Sequence, residues 1–382
     1  MTEEHPSSTH PPLPPTTEEL RFSWLRLLRS RRVGIATFYR LLDEYGSAQA
    51  ALAALPGVAR DAGVCDYTIC PEGVIHAEIK AGRAAGARLI CRGEPDYPTM
   101  LAEISDAPPI LWCIGDLSLL KRPMVALVGA RNASSLGTRM AKRLADDLAQ
   151  AGFVVVSGLA RGIDTAAHLA ALAGGTVAVQ AGGVDVIYPA ENAGLTHDIG
   201  KTGLRVSEQP MGLQPQARHF PARNRIISGL AQAVVVVEAA AKSGSLITTD
   251  AALAQGRDVF AVPGHPFDAR ASGCNMLIRD GATLVRGADD IIAALAPLAA
   301  RLAVAPAAVE ELAPERPAMR SLRDTAALHQ QILDRLGPSP MAEDQLIRDL
   351  ATTATAVAPA LIDLELDGKI ARQAGGLLAR LV

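Results

Sequence analysis

Seven short apolar runs, separated by helical stretches between residues 124 and 295, restrict the fold of this chain more than any other feature. The runs are MVALVG (124–129), FVVVS (153–157), TVAVQAG (176–182), LRVSE (204–208), AVVVVE (233–238), DVFAVPG (258–264) and TLV (283–285). Each of the first six ends in small, turn-forming or polar residues before a helical pattern resumes. Continuous Val-rich runs of this length are the mark of strands covered on both faces, so the expectation is βαβ repetition around a mainly parallel sheet. In open sheets of that kind ligands sit beyond the C-terminal ends of the strands. Packing must rely on aliphatic side chains, because 49% of the residues are hydrophobic and only 3% aromatic.

The flanks follow other patterns. RVGIATFYRLLDEYGSAQAALAALPGV (32–58) places two short helices around Gly34, Gly46 and Gly57, and helices broken by glycine in this way suggest a compact helix–hairpin–helix or SAM-like module. Six arginines and no acid fall between Arg21 and Arg40, which suits contact with a phosphate backbone or an ordinary solvated helix face. Pro and Ala dominate 297–318, a linker composition. Three helical segments and the short hairpin ARQAGGLLARLV follow, which is a winged-helix pattern. Its third helix carries Asp363, Glu365 and Asp367, which favours a protein-contact or accessory role over groove reading. The expected divisions are a disordered tail at 1–18, a helical module at 19–90, the α/β core at 91–296, a linker at 297–320 and the winged helix at 321–382.

A net charge of −3 announces no global affinity for nucleic acid, so any anion site must be local. No apolar run reaches the ~18 residues of a membrane span, and the N-terminus lacks the apolar segment of a signal peptide. A soluble cytoplasmic protein is therefore expected. Cys65, Cys70, Cys91, Cys113 and Cys274 are odd in number and scattered, so they read as reduced structural thiols, with no metal or other cofactor expected.

The motifs follow the strands. GARNASSLG (129–137) leads into a helix: Gly129 permits close backbone approach, Arg131 offers a planar fork of donors, and the helix start presents N–H groups to an anion. Neither GxGxxG nor GxxxxGK[ST] is present. SGLARGIDTAAH (157–168) makes a second turn at Ser157 and Gly158. Asp164 and His168 then stand i,i+4 on a helix, where an orienting hydrogen bond is the expected use. AGGVDVIYPAENAGL (181–195) brings Gly182, Asp185, Tyr188 and Asn192 to a cavity wall or a long loop. EAAAKSGSLITT (238–249) places Glu238 at a strand end, and Ser243, Gly244 and Ser245 at a helix start that suits phosphate as well as an N-cap.

HFPARNRIISGL (219–230) completes the set. With Pro221 at the first helical position, Arg223 shares a face with Ile226, Ile227 and Leu230, so it is either paired or overhangs a cavity. Convergence of the motifs on one sheet edge favours the second use, with Phe220 as a stacking face and Arg218 as a charge at the rim. Arginine, an exposed aromatic and backbone donors together suit single-stranded nucleic acid. Asn224 and Arg225 point away from the apolar stripe and serve structure or a subunit contact.

These residues, in this order, closely resemble the DNA-processing protein A (DprA or Smf) family. The likeness runs through SGLARGID..AH, G.D.IYP.EN..L, FPARNRIISGL....VVVEA...SGSLIT and GRDVFAVPG......GCN.LI..GA, nearly all of 124–285. It implies a Rossmann-like core between a SAM-like module and a winged helix. It also implies a non-enzymatic, typically dimeric protein that binds single-stranded DNA during natural transformation, tolerates or displaces single-strand-binding protein and loads the RecA recombinase. The family's anion pocket maps to Gly129, Arg131, Arg218 and Arg223. Ala130 stands where a hydroxyl is common, so the pocket must lean on backbone N–H groups and Arg131. The alternative is a nucleotide-processing enzyme of the lysine-decarboxylase-like Rossmann group, which requires a catalytic glutamate where this chain has Thr248.

Overall fold

The computed structural model describes residues 14–303 other than 65, together with 322–337, 341–350 and parts of 352–380. The chain divides into two compact units, 1–301 and 302–382.

The first unit opens with four helices, α1 (Glu18–Arg29), α2 (Ile35–Tyr45), α3 (Ala48–Asp61) and α4 (Glu72–Ala84). Thr17 and Glu18 fall at the end of the expected tail, yet Thr17 Oγ1 accepts from Leu20 N at 3.2 Å and caps α1. Gly46 ends α2 at φ +73°, a left-handed turn that an L side chain resists, whereas Gly57, expected to break a helix, lies inside α3 without a left-handed φ. Three of the six arginines are committed to carboxylates: Arg21 to Glu94 at 2.7 Å, Arg26 to Glu72 at 2.7 Å and Arg29 to Glu78 at 2.9 Å.

Nine strands follow: β1 (Arg88–Cys91), β2 (Ile110–Gly115), β3 (Met124–Gly129), β4 (Val154–Ser157), β5 (Thr176–Val179), β6 (Leu204–Ser207), β7 (Ala233–Glu238), β8 (Asp258–Ala261) and β9 (Thr283–Leu284). Their order in the sheet is β1-β2-β6-β5-β4-β3-β7-β8-β9. The seven strands from β6 to β9 are parallel, whereas β1 and β2 add an antiparallel edge. The helical module packs on that edge. Trp112 of β2 lies where a Cβ on Gly82 would be 2.6 Å from its ring, and its Nε1 donates to Glu78 Oε1 at 2.9 Å.

The intervening helices are α5 (Thr99–Ala102), α6 (Ser135–Gln150), α7 (Ile163–Ala171), α8 (Ala193–Thr202), α9 (His219–Leu230), α10 (Ser245–Ala254), α11 (Ser272–Arg279) and α12 (Ala288–Ala303). Side chains alternate along each strand, so β3 sends Met124, Ala126 and Val128 into one core with α9, and Val125 and Leu127 into another with α6, α7 and α12. The chain winds outward from β3 through β4, β5 and β6, then returns through α9 to place β7 on the other side of β3. The order reverses between β3 and β7, where such sheets leave a crevice.

The second unit contains α13 (Leu322–Arg335), α14 (Glu343–Asp349) and a three-stranded sheet of β10 (Met341–Ala342), β12 (Leu377–Arg380) and β11 (Ile370–Gln373), in that order. Ile332, Leu346, Leu361, Leu364 and Leu378 form its core, the winged-helix arrangement of helices closed by a hairpin. Asp363, Asp367 and most of the expected linker lie outside the described residues, and α12 runs on to Ala303. The four described cysteines are buried and form no disulfide among the described residues, whereas Cys65 lies outside the described residues. No helix among the described residues is long and apolar enough to cross a membrane.

Candidate nucleic-acid interface

Two cavities open at the C-terminal edge of the parallel strands. The wider, about 750 Å³, lies over the β3/β7 crevice, and the narrower, about 410 Å³, lies over β4 and β5. Arg131, Ala160, Phe220 and Arg223 line both. The motifs therefore converge as their strand positions require, although several residues serve other ends than the sequence suggests.

The helix start after β3 is already occupied. Ser134 caps α6 by accepting from Gly137 N at 2.9 Å, while Glu238 accepts from Ser134 N at 2.9 Å and also from Ser134 Oγ. Ala130 N donates to Glu238 O at 2.7 Å. Two backbone donors of this turn, Ala130 N and Ser134 N, thus meet the end of β7. Gly129 is needed for packing, since a Cβ there would lie 2.6 Å from Ile163 Cγ1 and 2.9 Å from Glu238 O.

The turn after β4 is also closed. Ser157 is fully buried and donates its hydroxyl to Leu127 O at 2.7 Å. Gly158 N and Ala160 N donate to Asp164 Oδ2 at 3.0 and 3.3 Å. Burial pushes the Asp164 carboxyl upward in pKa, and Arg223 opposes that shift. His168 turns away from Asp164, with its Nδ1 2.7 Å from Thr176 Oγ1. Asn192 holds the turn from the far side, donating Nδ2 to Leu159 O at 2.9 Å.

Arg223 corrects the sequence expectation most. It is only 6% exposed, and its Nη1 donates to both Gly158 O and Val179 O, clamping the ends of β4 and β5. Nε donates to Asn224 Oδ1 at 3.2 Å, which leaves Nη2 as its one nitrogen without a partner among the described residues. The guanidinium lies over Gly158, where a Cβ would approach it to 2.4 Å. Burial pulls the pKa of Arg223 down to about 10, Asp164 opposes this, and Arg131 adds to it. The helix itself starts two residues earlier than expected, so Pro221 is its third residue, within the first turn where no intrahelical donor is lost. Arg225 is structural, paired with Glu208 and lying 3.4 Å from Asp106.

Arg131, Phe220 and Tyr188 remain open to a ligand. The Arg131 guanidinium stands over the Phe220 ring, 5.1 Å from its centroid, and the Tyr188 and Phe220 centroids are 5.7 Å apart. Arg131 is exposed and makes no ion pair among the described residues. Ser243, Gly244, Ser245 and Asn224 line the wider cavity. The cap of α10 is Gly244, and the hydroxyls of Ser243 and Ser245 lie 2.7 Å apart. Arg218 is exposed beside His219, its Nε 3.3 Å from His219 Nε2, and lines neither cavity. Burial and then Arg218 lower the pKa of His219. Lys242 and Arg270 also line the wider cavity. Lys242 was legible as a cation preceding the Ser-Gly-Ser turn; Arg270 had no such signal.

A family model described as DNA recombination-mediator protein A matches residues 88–296. A DprA-like N-terminal HHH domain matches 18–81, and a DprA winged helix domain matches 316–376. The chain is 50% identical over 199 residues to DNA processing protein DprA of Streptococcus pneumoniae, covering 52% of this chain and 70% of that one. It is 38% identical over 285 residues to protein Smf of Escherichia coli, covering 73% and 74%. A solved structure of DNA processing protein A from Helicobacter pylori, described for its single-stranded DNA binding mode, is 30% identical with a TM-score of 0.51, covering 55% of this chain and 96% of that one.

Proposed function

The chain belongs to the DNA processing protein A (DprA/Smf) family, and on that premise we propose that it binds single-stranded DNA along the C-terminal edge of its parallel sheet. In this reading it protects incoming strands in the cytoplasm and loads RecA recombinase onto them during DNA uptake. It acts as a homodimer beside single-strand-binding protein, without turnover of its own. The observation that carries the reading is the Arg131–Phe220 stack between the two cavities, with Tyr188 against it. An unpaired guanidinium suits a phosphate and the adjoining rings suit bases, the two elements that sequence-tolerant single-strand sites combine.

The first test is anisotropy of a labelled oligonucleotide, single-stranded and duplex, at two salt concentrations. Preference for the single strand, weakened by salt, is expected; equal affinity for duplex would defeat the reading. Arg131→Ala should flatten the salt slope by about 0.7, the release expected for one phosphate contact on a single strand. An unchanged slope would remove Arg131 from the phosphate path. Phe220→Ala should weaken binding by about 1–3 kcal/mol with the slope retained, since stacking carries no counterion release.

The enzymatic alternative lacks a free carboxylate at the expected place: Thr248 is buried, and Asp164, the carboxylate lining the wider cavity, holds the turn after β4. Release of free base from nucleoside monophosphates would favour it instead.

A further inference from the structure

The C-terminal ends of β5, β4, β3, β7 and β8 stand side by side. Four steps of about 4.8 Å make a row of roughly 19 Å. The loops leaving this row carry, in order, Tyr188, Arg161, Arg131 and Lys242, and then the segment 262–270 after β8. In that last segment Phe267 is 95% exposed, more than any other large apolar side chain among the described residues. Its ring lies 5.5 Å from the His265 ring.

The loop that presents Phe267 is well tied. Asn275 accepts from Gly264 N at 3.1 Å and donates to Gly264 O at 3.0 Å. Asp268 Oδ1 accepts from Arg270 N at 3.0 Å and from Arg270 Nε at 3.3 Å, while Phe267 N donates to His265 Nδ1 at 3.3 Å. Gly264 packs on Ala271, where an added Cβ would lie 2.3 Å from the Ala271 methyl. A ring held outward by its own loop is preorganised for a partner, because little ordering remains to be done on binding. Arg270, three residues on, lines the wider cavity. The neighbouring Asp268 is partly offset by its bond to that arginine.

We propose that Phe267 is a second stacking platform, which continues the single-strand track past the wider cavity and takes a base of a longer strand while Arg270 faces its backbone. This rests on the single-stranded-DNA reading above. Its chemical argument is continuity with the Arg131–Phe220 stack and the cations Lys242 and Arg270 on the way, a charge pattern suited to a polyanion with aromatic faces.

Both native tryptophans, Trp24 and Trp112, are buried, so Phe267→Trp in the full chain adds a single exposed indole. Titration with oligodeoxythymidylates of about four and about sixteen nucleotides, the range of single-strand site sizes, should quench that indole with the longer strand only. In Phe267→Ala the gain in affinity from short to long strand should shrink about tenfold, within the range measured for one stacked base. An undiminished gain together with an unquenched indole would overturn the proposal. Failure of the wild-type chain to bind either length would instead overturn the underlying single-stranded-DNA reading, and this inference with it.

Discussion

Replacing Arg223 with methionine is expected to lower the unfolding free energy by about 3–5 kcal/mol, the cost of removing one side of a buried, hydrogen-bonded charge arrangement. The substitution strips Gly158 O and Val179 O of their shared donor and leaves Asn224 Oδ1 without its partner. It also removes the positive charge that opposes the upward shift of the buried Asp164 carboxyl. Arg223→Lys should recover only part of the loss, because one ammonium cannot reproduce a fork directed at two strand ends and a side-chain amide. Urea unfolding of the three proteins decides the matter. A loss below about 1 kcal/mol, with the salt slope for single strands flattened by about 0.7, would return Arg223 to a phosphate contact.

The second large effect concerns acid. Thr176 Oγ1 donates to Val155 O at 2.8 Å, so it receives its other hydrogen bond from His168 Nδ1. That fixes the proton on Nδ1 and leaves Nε2 buried without a partner among the described residues. Burial, and then the charge of Arg223, push the pKa of His168 down to about 3. The unfolded chain binds this proton near pH 6.5 and the folded chain does not, so the stability that His168 contributes is complete above about 6.5 and declines as pH falls toward 3. Between pH 7.5 and 5 the expected loss is about 2 kcal/mol. Burial raises the pKa of Asp164 and of Glu208, whose contributions run the other way, gaining stability as pH falls. His168→Asn isolates the histidine: its amide suits the Nδ1 position, and between pH 7.5 and 5 it should lose about 2 kcal/mol less than the wild type, the acid sensitivity of His219 being common to both. A variant with the wild-type slope against pH would contradict the assignment.

The parallel strands from β3 to β8 were legible because burial is written as continuous runs such as AVVVVE, whereas the two residues of the edge strand β9 are exposed and its run TLV is short. The antiparallel β1 and β2 escaped the same reasoning: they are joined without a long crossover helix, so no alternation announces them, although ILWCIG between Pro109 and Asp116 has the composition of a strand. At the site, residue types were more legible than their duties. Arg131, Phe220 and the Ser243–Ser245 turn line a cavity as strand-end logic requires. Arg223, Ser157 and Glu238 have partners 65, 30 and 104 residues away, and no local pattern tells a donor awaiting a ligand from one consumed by the fold.

The placement of Glu238 sets what the crevice refuses. In sheets of this design the helix beyond the switch point receives the phosphate of a small nucleotide, but here the protein has installed its own carboxylate at that spot. A phosphate approaching that spot meets a carboxylate that already accepts from Ser134 N and Ser134 Oγ. On the proposed reading, this leaves the sheet edge better suited to an anion that lies across it than to one that dips into it.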